Sequence, residues 1–305
     1  MSGKPCLIGI GALLLAVASA GLAVAEPPRM TGDVIYGHKD GMALVFHVYR
    51  PPEANGAGVI QIVSGGYFSP WQAPEARLGT AQPFLKHRFT VFTVFHGSNP
   101  KYNVVEIVED VRRAVRFIRL HAADFGVEQE RIGVMGGSAG GHLALVLATT
   151  GDDGDAAAQD PVLRASSRVA AAVAIAPPVD LRDPDKILQR ALERGGIDQG
   201  GVDRLKPALN FDPALAATIS PVLHVTPDDA PTLLIHGDAD QLVPFDNSQR
   251  IYAEFQEKHV PSELIVLAGV GHGPQAAAHL VEFQRAIDRG VAWFDKHLAA
   301  RAKPE

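Results

Sequence analysis

The sequence predicts an α/β protein built on a mostly parallel sheet with helices on both faces, and three observations lead there. Short apolar runs alternate with amphipathic stretches after an opening pair of strands. One run passes through Gly136-Gly137-Ser138-Ala139-Gly140-Gly141-His142 into a second apolar run, the pattern of buried strand, tight turn and helix with a serine at the apex. An acid-bearing loop and then a histidine-bearing loop follow later strands, at the end of a parallel sheet where functional residues gather.

The elements follow in order. Residues 33–36 and 42–49 read as strands joined through Lys39-Asp40-Gly41, because Asp-Gly is a strong hairpin signal. Pro51-Pro52 ends the second strand, and 59–63 is a short apolar strand leading to Ser64-Gly65-Gly66-Tyr67. A helix over 76–86 precedes a strand over 89–95 that is rich in β-branched and aromatic residues. Val104, Ile107, Val108, Val111, Val115 and Ile118 then make one apolar stripe at helical spacing. On that helix acids come early and arginines late, matching the dipole, so its charged side reads as a solvated face. The strand and helix around Ser138 come next, followed by a buried strand over 169–176 that Pro177-Pro178 stops. From about 179 to 229 the period breaks into prolines, glycine pairs and short helical pieces, which read as a cap insertion over one end of the sheet. Its cations, among them Arg182, Lys186, Arg190 and Arg194, fit either an acidic substrate or a solvated helix face. Strands over 232–236 and 263–267 flank a helix over 246–259, and a helix over 276–298 closes the chain.

Composition bounds the function. The 305 residues are 20% charged and 47% hydrophobic, which suits a single domain with a large core. A net charge of −6 with no Lys/Arg block argues against a nucleic-acid partner. Residues 1–25 read as a signal peptide, with Lys4, an apolar core over 7–20, and Ala23-Val24-Ala25 before Glu26. The apolar run approaches spanning length, so an uncleaved anchor is the alternative. The small-residue pattern favours cleavage, export to the periplasm or beyond, and no stable membrane association afterwards. Cys6 is the only cysteine, so a mature domain of residues 26–305 would have no disulfide and no thiol nucleophile.

A serine hydroxyl needs a base, and the base needs a carboxylate to hold its tautomer. By itself the Ser138 turn also fits a serine that merely caps a helix. The loop after the 232–236 strand carries Asp238 and Asp240, of which Asp240 lies deeper and is the better orienting acid. The loop after 263–267 is Gly269-Val270-Gly271-His272-Gly273-Pro274, whose glycines let His272 project. The order Ser138, Asp240, His272, each after a strand, favours nucleophile, orienting acid and base. The amides of Gly66, Tyr67 and Ala139 are candidate oxyanion donors, and Tyr67, Phe68 and Trp71 are candidates to stack on a sugar or aromatic acid. His142 and His236 read as packing or hydrogen-bonding groups beside the site. No H-E-x-x-H or similar ligand spacing occurs, so no metal and no cofactor is assigned.

Taken together, Ser64-Gly65-Gly66, the 136–142 turn, His236-Gly237-Asp238-Ala239-Asp240 with Val243-Pro244, and Gly271-His272-Gly273 resemble the α/β-hydrolase superfamily. The similarity is to its esterase/lipase branch and to prolyl-oligopeptidase-like catalytic domains. The resemblance implies an eight-stranded, mostly parallel sheet and a Ser138–His272–Asp240 triad. It departs at Ser64, where lipases usually have histidine, and at Tyr67, where a third glycine is common. The chain has no room for the propeller of the prolyl peptidases, so a small peptidase is a weaker alternative. The expectation is an exported serine esterase acting on a small-molecule or carbohydrate ester. A carbohydrate-ester deacetylase or feruloyl esterase is the alternative.

Overall fold

The computed structural model describes residues 26–273 and 277–300. The expected signal segment, 1–25, lies outside them. The chain runs β1 (Arg29–Lys39), β2 (Met42–Arg50), β3 (Gly58–Val63), α1 (Pro74–Lys86), β4 (Thr90–Phe95), α2 (Val104–Leu120), β5 (Ile132–Gly137) and α3 (Ala139–Thr150). It continues through α4 (Pro161–Arg164), β6 (Ala171–Ile175), α5 (Pro184–Glu193), α6 (Gln199–Leu205), β7 (Thr232–Gly237), α7 (Asp246–Glu257), β8 (Ser262–Leu267) and α8 (Ala277–His297). One eight-stranded sheet has the order β1-β2-β4-β3-β5-β6-β7-β8. The pairs β1–β2 and β2–β4 are antiparallel, and every later pair is parallel.

The opening hairpin turns where Asp40-Gly41 requires it, both residues being left-handed at φ 47° and 77°. That geometry matches the twist of the flanking strands. The central strands β3, β4 and β7 are buried along their whole length, so they read as continuous apolar runs rather than alternating ones. One face of the sheet is covered by α2 and α3 through Ile107, Val111, Val115, Leu143 and Leu147, and the other by α1 and α8 through Phe84, Trp293 and Phe294. Asn103 starts α2 with a capping box, its side chain taking the amides of Val105 and Glu106 while Glu106 returns to the Asn103 amide.

The charged side of α2 differs from the solvated face expected of it. Asp110, Arg116 and Arg119 are buried. Arg116 reaches both carboxylate oxygens of Asp152 and the Ala165 carbonyl, Arg113 reaches Asp160 at 2.6 Å, and Arg119 donates to the carbonyls of Gln129, Ser166 and Arg168. Asp110 accepts from Lys39 Nζ and the Gly97 amide. The arginines thus fasten the α3–β6 connection to α2. A helical period locates the apolar stripe, but it does not say which chain segment lies over the flank.

Between β6 and β7, where the cap insertion was expected, lie α5, α6 and three 3-10 turns. This segment closes over the loops at the carboxyl ends of the strands. Leu205 sits over Gly66, where an added methyl would come within 2.7 Å of it, and Gly196 backs onto the Gln241–Leu242 peptide. Among the described residues no helix is long and apolar enough to cross a membrane.

Candidate active site

Ser138 stands at the junction of β5 and α3 with φ 54° and ψ −121°, a left-handed conformation for a residue that has a side chain. Such backbone strain costs of order 1–3 kcal/mol and persists only where the surroundings over-determine it. Here the surroundings are tight. The Ser138 amide donates to Ile175 O at 2.8 Å. A Cβ at Gly136 would lie 2.3 Å from Gly140 O, and one at Gly141 would lie 2.9 Å from Ile175 O. Strand and helix can meet at this distance only without side chains, and the serine between them is left half-buried with its hydroxyl outward.

Three loops bring their side chains to one place. His272 Nε2 lies 2.8 Å from Ser138 Oγ, and His272 Nδ1 lies 2.7 Å from Asp240 Oδ2. A carboxylate only accepts, so Nδ1 carries the proton and Nε2 is free to accept one from the serine. The Asp240 side chain is fully buried while that of His272 is about a quarter exposed. Oδ1 of Asp240 takes the amides of Leu242 and Val243, each at 2.9 Å. Burial works against ionisation of Asp240, but hydrogen bonds from His236 and His272, the charge interaction with His272 and the Val243 amide hold its carboxyl well below the usual range. The neighbouring carboxylate, Asp238, is exposed and instead takes the Gly269 amide at 2.7 Å, tying the acid loop to the histidine loop.

His236 is the residue whose part the sequence left least defined. Its Nε2 lies 2.8 Å from Val243 O and 3.3 Å from Asp240 Oδ2, while Nδ1 lies 2.7 Å from Ser248 Oγ. Because Val243 O can only accept, Nε2 carries the proton and Nδ1 accepts from the serine hydroxyl. His236 therefore braces both the acid and the loop that carries it. The signal in sequence was only that His236 and Asp240 lie four residues apart across the strand end.

Gly65 and Phe68 exchange two backbone hydrogen bonds of 2.9 and 3.0 Å, with Gly66 and Tyr67 left-handed at φ 56° and 61° between them. This is a two-residue turn whose tip amides, Gly66 and Tyr67, meet no acceptor among the described residues. The Ala139 amide meets none either, and the Gly140 amide donates to Ser64 O at 3.3 Å, which joins this turn to the start of α3. Those three amides are the ones named as oxyanion donors.

The aromatic residues separate. The ring of Tyr67 is buried, with its hydroxyl 3.2 Å from His142 Nδ1, so it has no face to stack on a ligand. Burial keeps that phenol protonated far above its ordinary range. His142 Nε2 in turn donates to Ile219 O at 2.7 Å, and burial lowers its pKa to about 4. Phe68 is half exposed, and so is Trp71, whose indole donates to Asp33 on β1 at 2.7 Å. Among the described residues no group of three or more His, Cys, Asp or Glu is placed to hold a metal ion.

The model of the BD-FAE family matches residues 46–255, from β2 to α7. The chain belongs to the BD-FAE family. Among curated proteins this BD-FAE protein is 28% identical over 221 residues to the probable carboxylic ester hydrolase LipM of Mycobacterium tuberculosis, covering 70% of this chain and 48% of that one. It is 24% identical over 234 residues to the esterase LipQ of the same organism, covering 74% and 53%. The chain thus spans about half the length of the curated relatives it matches. Among solved structures, the acetyl ester-xyloside bifunctional hydrolase of Caldicellulosiruptor lactoaceticus superposes with a TM-score of 0.71 at 24% identity, over 91% of this chain and 98% of that one. An esterase of Thermogutta terrifontis superposes with a TM-score of 0.68 at 24% identity, over 89% and 94%. The fold is that of the α/β-hydrolases.

Proposed function

We propose that this BD-FAE protein is a serine hydrolase of carboxylic esters. The observation that carries the reading is the relay of two short contacts, Asp240 to His272 Nδ1 and His272 Nε2 to Ser138 Oγ. His272 takes the Ser138 proton as the hydroxyl attacks the ester carbonyl, and Asp240 steadies the imidazolium that forms. The amides of Ala139 and of the Gly66-Tyr67 turn receive the oxyanion. His272 then gives its proton to the leaving alcohol, and water repeats the sequence on the acyl-enzyme to release the acid. The esterase names of LipM and LipQ support the same chemistry.

Purified Ser138→Ala should lose on the order of 10⁴-fold or more of the wild-type rate on 4-nitrophenyl acetate. A fluorophosphonate probe should label the wild type and not the variant. Near wild-type turnover by the variant would end the assignment, and failure to label the wild type would favour a binding module on a hydrolase fold.

A carbohydrate ester is the favoured substrate type within this reading, supported by the exposed Phe68 and Trp71 and by the acetyl ester-xyloside hydrolase among the structural neighbours. Rates on acetylated xylan, feruloyl esters and simple acyl chains separate a deacetylase from a feruloyl esterase. Export through residues 1–25 belongs to the same proposal. The N-terminal sequence of the protein recovered outside the cytoplasm should begin at Glu26, and a retained Met1 would count against cleavage.

A further inference from the structure

A cavity of about 390 Å³ opens between α5 of the cap, the start of α7 and the loop that carries Asp240. Five cations line it, Arg182, Lys186, Arg190, Arg194 and Arg250, against the three carboxylates Asp180, Asp183 and Asp246. Asp180 is already held between two of the arginines, with Arg182 Nη2 at 2.7 Å and Arg250 Nη2 at 2.8 Å. Asp183 caps α5 through the Lys186 amide, and Asp246 accepts from Asn247. Lys186, Arg190 and Arg194 are exposed and, among the described residues, have no carboxylate partner and no side-chain hydrogen bond. They follow one another at four-residue steps, so one side of the helix carries a row of charges about 6 Å apart, while Leu188 and Ala191 bury the other side.

Helix stability accounts for that row only in part, since Arg190 and Arg194 lie in the last turn and at the C-cap, where the dipole favours a cation. Like charges four residues apart repel, and Lys186 sits in the first turn, the wrong end of the dipole for a cation. The opposite wall is the apolar strip Leu242, Val243 and Pro244, of which Leu242 and Val243 hold Asp240 through their amides. The cavity therefore shares a wall with the acid of the Ser138 group.

We propose that this cavity is a subsite for the carrier of the ester, a saccharide chain with a carboxylate on successive units. Regularly spaced carboxylates meet the row on α5 in charge-assisted hydrogen bonds, and the apolar faces of the sugar rings lie on the Leu242–Pro244 strip. This inference deepens the ester-hydrolase reading and rests on it.

The test begins with binding, which needs no turnover. Trigalacturonate, titrated calorimetrically into the wild type, should bind about tenfold or more tightly than a neutral xylotriose, and raising the salt should erase the difference. Lys186→Gln/Arg190→Gln/Arg194→Gln should remove that discrimination while circular dichroism and melting stay as in the wild type. Trigalacturonate should also raise KM for 4-nitrophenyl acetate without lowering kcat, and should slow fluorophosphonate labelling at Ser138. Equal binding of the two trisaccharides, or discrimination that survives the triple substitution, overturns the subsite. So does inorganic phosphate binding as tightly as trigalacturonate, or trigalacturonate binding without competing, since either makes the cavity a site for free anions. If trigalacturonate binds but no ester is turned over, the ester-hydrolase reading has failed and the anion site stands.

Discussion

His236 Nε2 lies 3.3 Å from Asp240 Oδ2, the same carboxylate oxygen that takes His272 Nδ1 at 2.7 Å. One buried oxygen is thus shared by two imidazoles, one at the end of β7 and one on the loop after β8, and only the second reaches Ser138. Replacing His236 by Phe removes this donor and leaves Val243 O and Ser248 Oγ without their partner. Loss of a hydrogen bond to a charged group costs about 1.5–3 kcal/mol. Asp240 ionised below its ordinary pKa adds stability that is present above that value and lost as pH falls through the lowered one. With the donor gone, the Asp240 pKa rises, so acid unfolding of His236→Phe, followed by fluorescence, should begin at a higher pH than in the wild type. Its kcat should fall about tenfold with KM little changed.

Asp240→Asn should lower kcat by roughly 10⁴-fold, because an amide can stabilise the wrong His272 tautomer. Its side-chain oxygen can still accept from Leu242 and Val243, so the melting temperature should move far less than the rate. Asp238→Asn is the control. That residue is exposed and needs only an oxygen to accept from Gly269, so steady-state kinetics should show less than about a threefold change.

Gly136→Ala should destabilise the fold by about 3 kcal/mol, read by urea unfolding, because the new methyl would lie 2.3 Å from a helix carbonyl that cannot move away. Gly137→Ala has its nearest neighbour at 3.9 Å and should stay within about 1 kcal/mol of the wild type.

Stability should fall on acidification from about pH 6.5 to 4. Burial lowers both His96 and His142 to about 4, so each takes up a proton on unfolding in that window. Asp229 works against them. Burial raises it to about 6, so it is protonated in the fold and releases its proton on unfolding between about pH 4 and 6. The net uptake is about one proton where all three windows overlap, a slope of about 1.4 kcal/mol per pH unit. Urea unfolding across that range should show it, and His142→Phe should flatten the curve.

Much of the fold was legible because its signals are local. The alternating apolar runs, Asp40-Gly41 and the 104–118 stripe each state a conformation within a few residues. The glycines two residues before and after Ser138, at 136 and 140, likewise state a strand and a helix in near contact. The Tyr67 ring was not legible, because an aromatic residue in a glycine turn reads the same whether it faces a ligand or His142. The arginines of α2 were misread as solvated for a related reason. Their partners Asp152 and Asp160 and the carbonyls at 165–168 are some 30 to 50 residues away in sequence.

The sequence by itself determined the order of the elements, the strained serine turn and the loops that hold an acid and a histidine. These follow from backbone preference and period, which act over short stretches. Only the tertiary structure decided that His272 spans Asp240 and Ser138, that His236 shares the carboxylate, and that the exposed cations of α5 line one cavity with the Leu242–Pro244 strip. Each of those is a meeting of residues from separate strands or helices, and the packing of the sheet sets which ones meet.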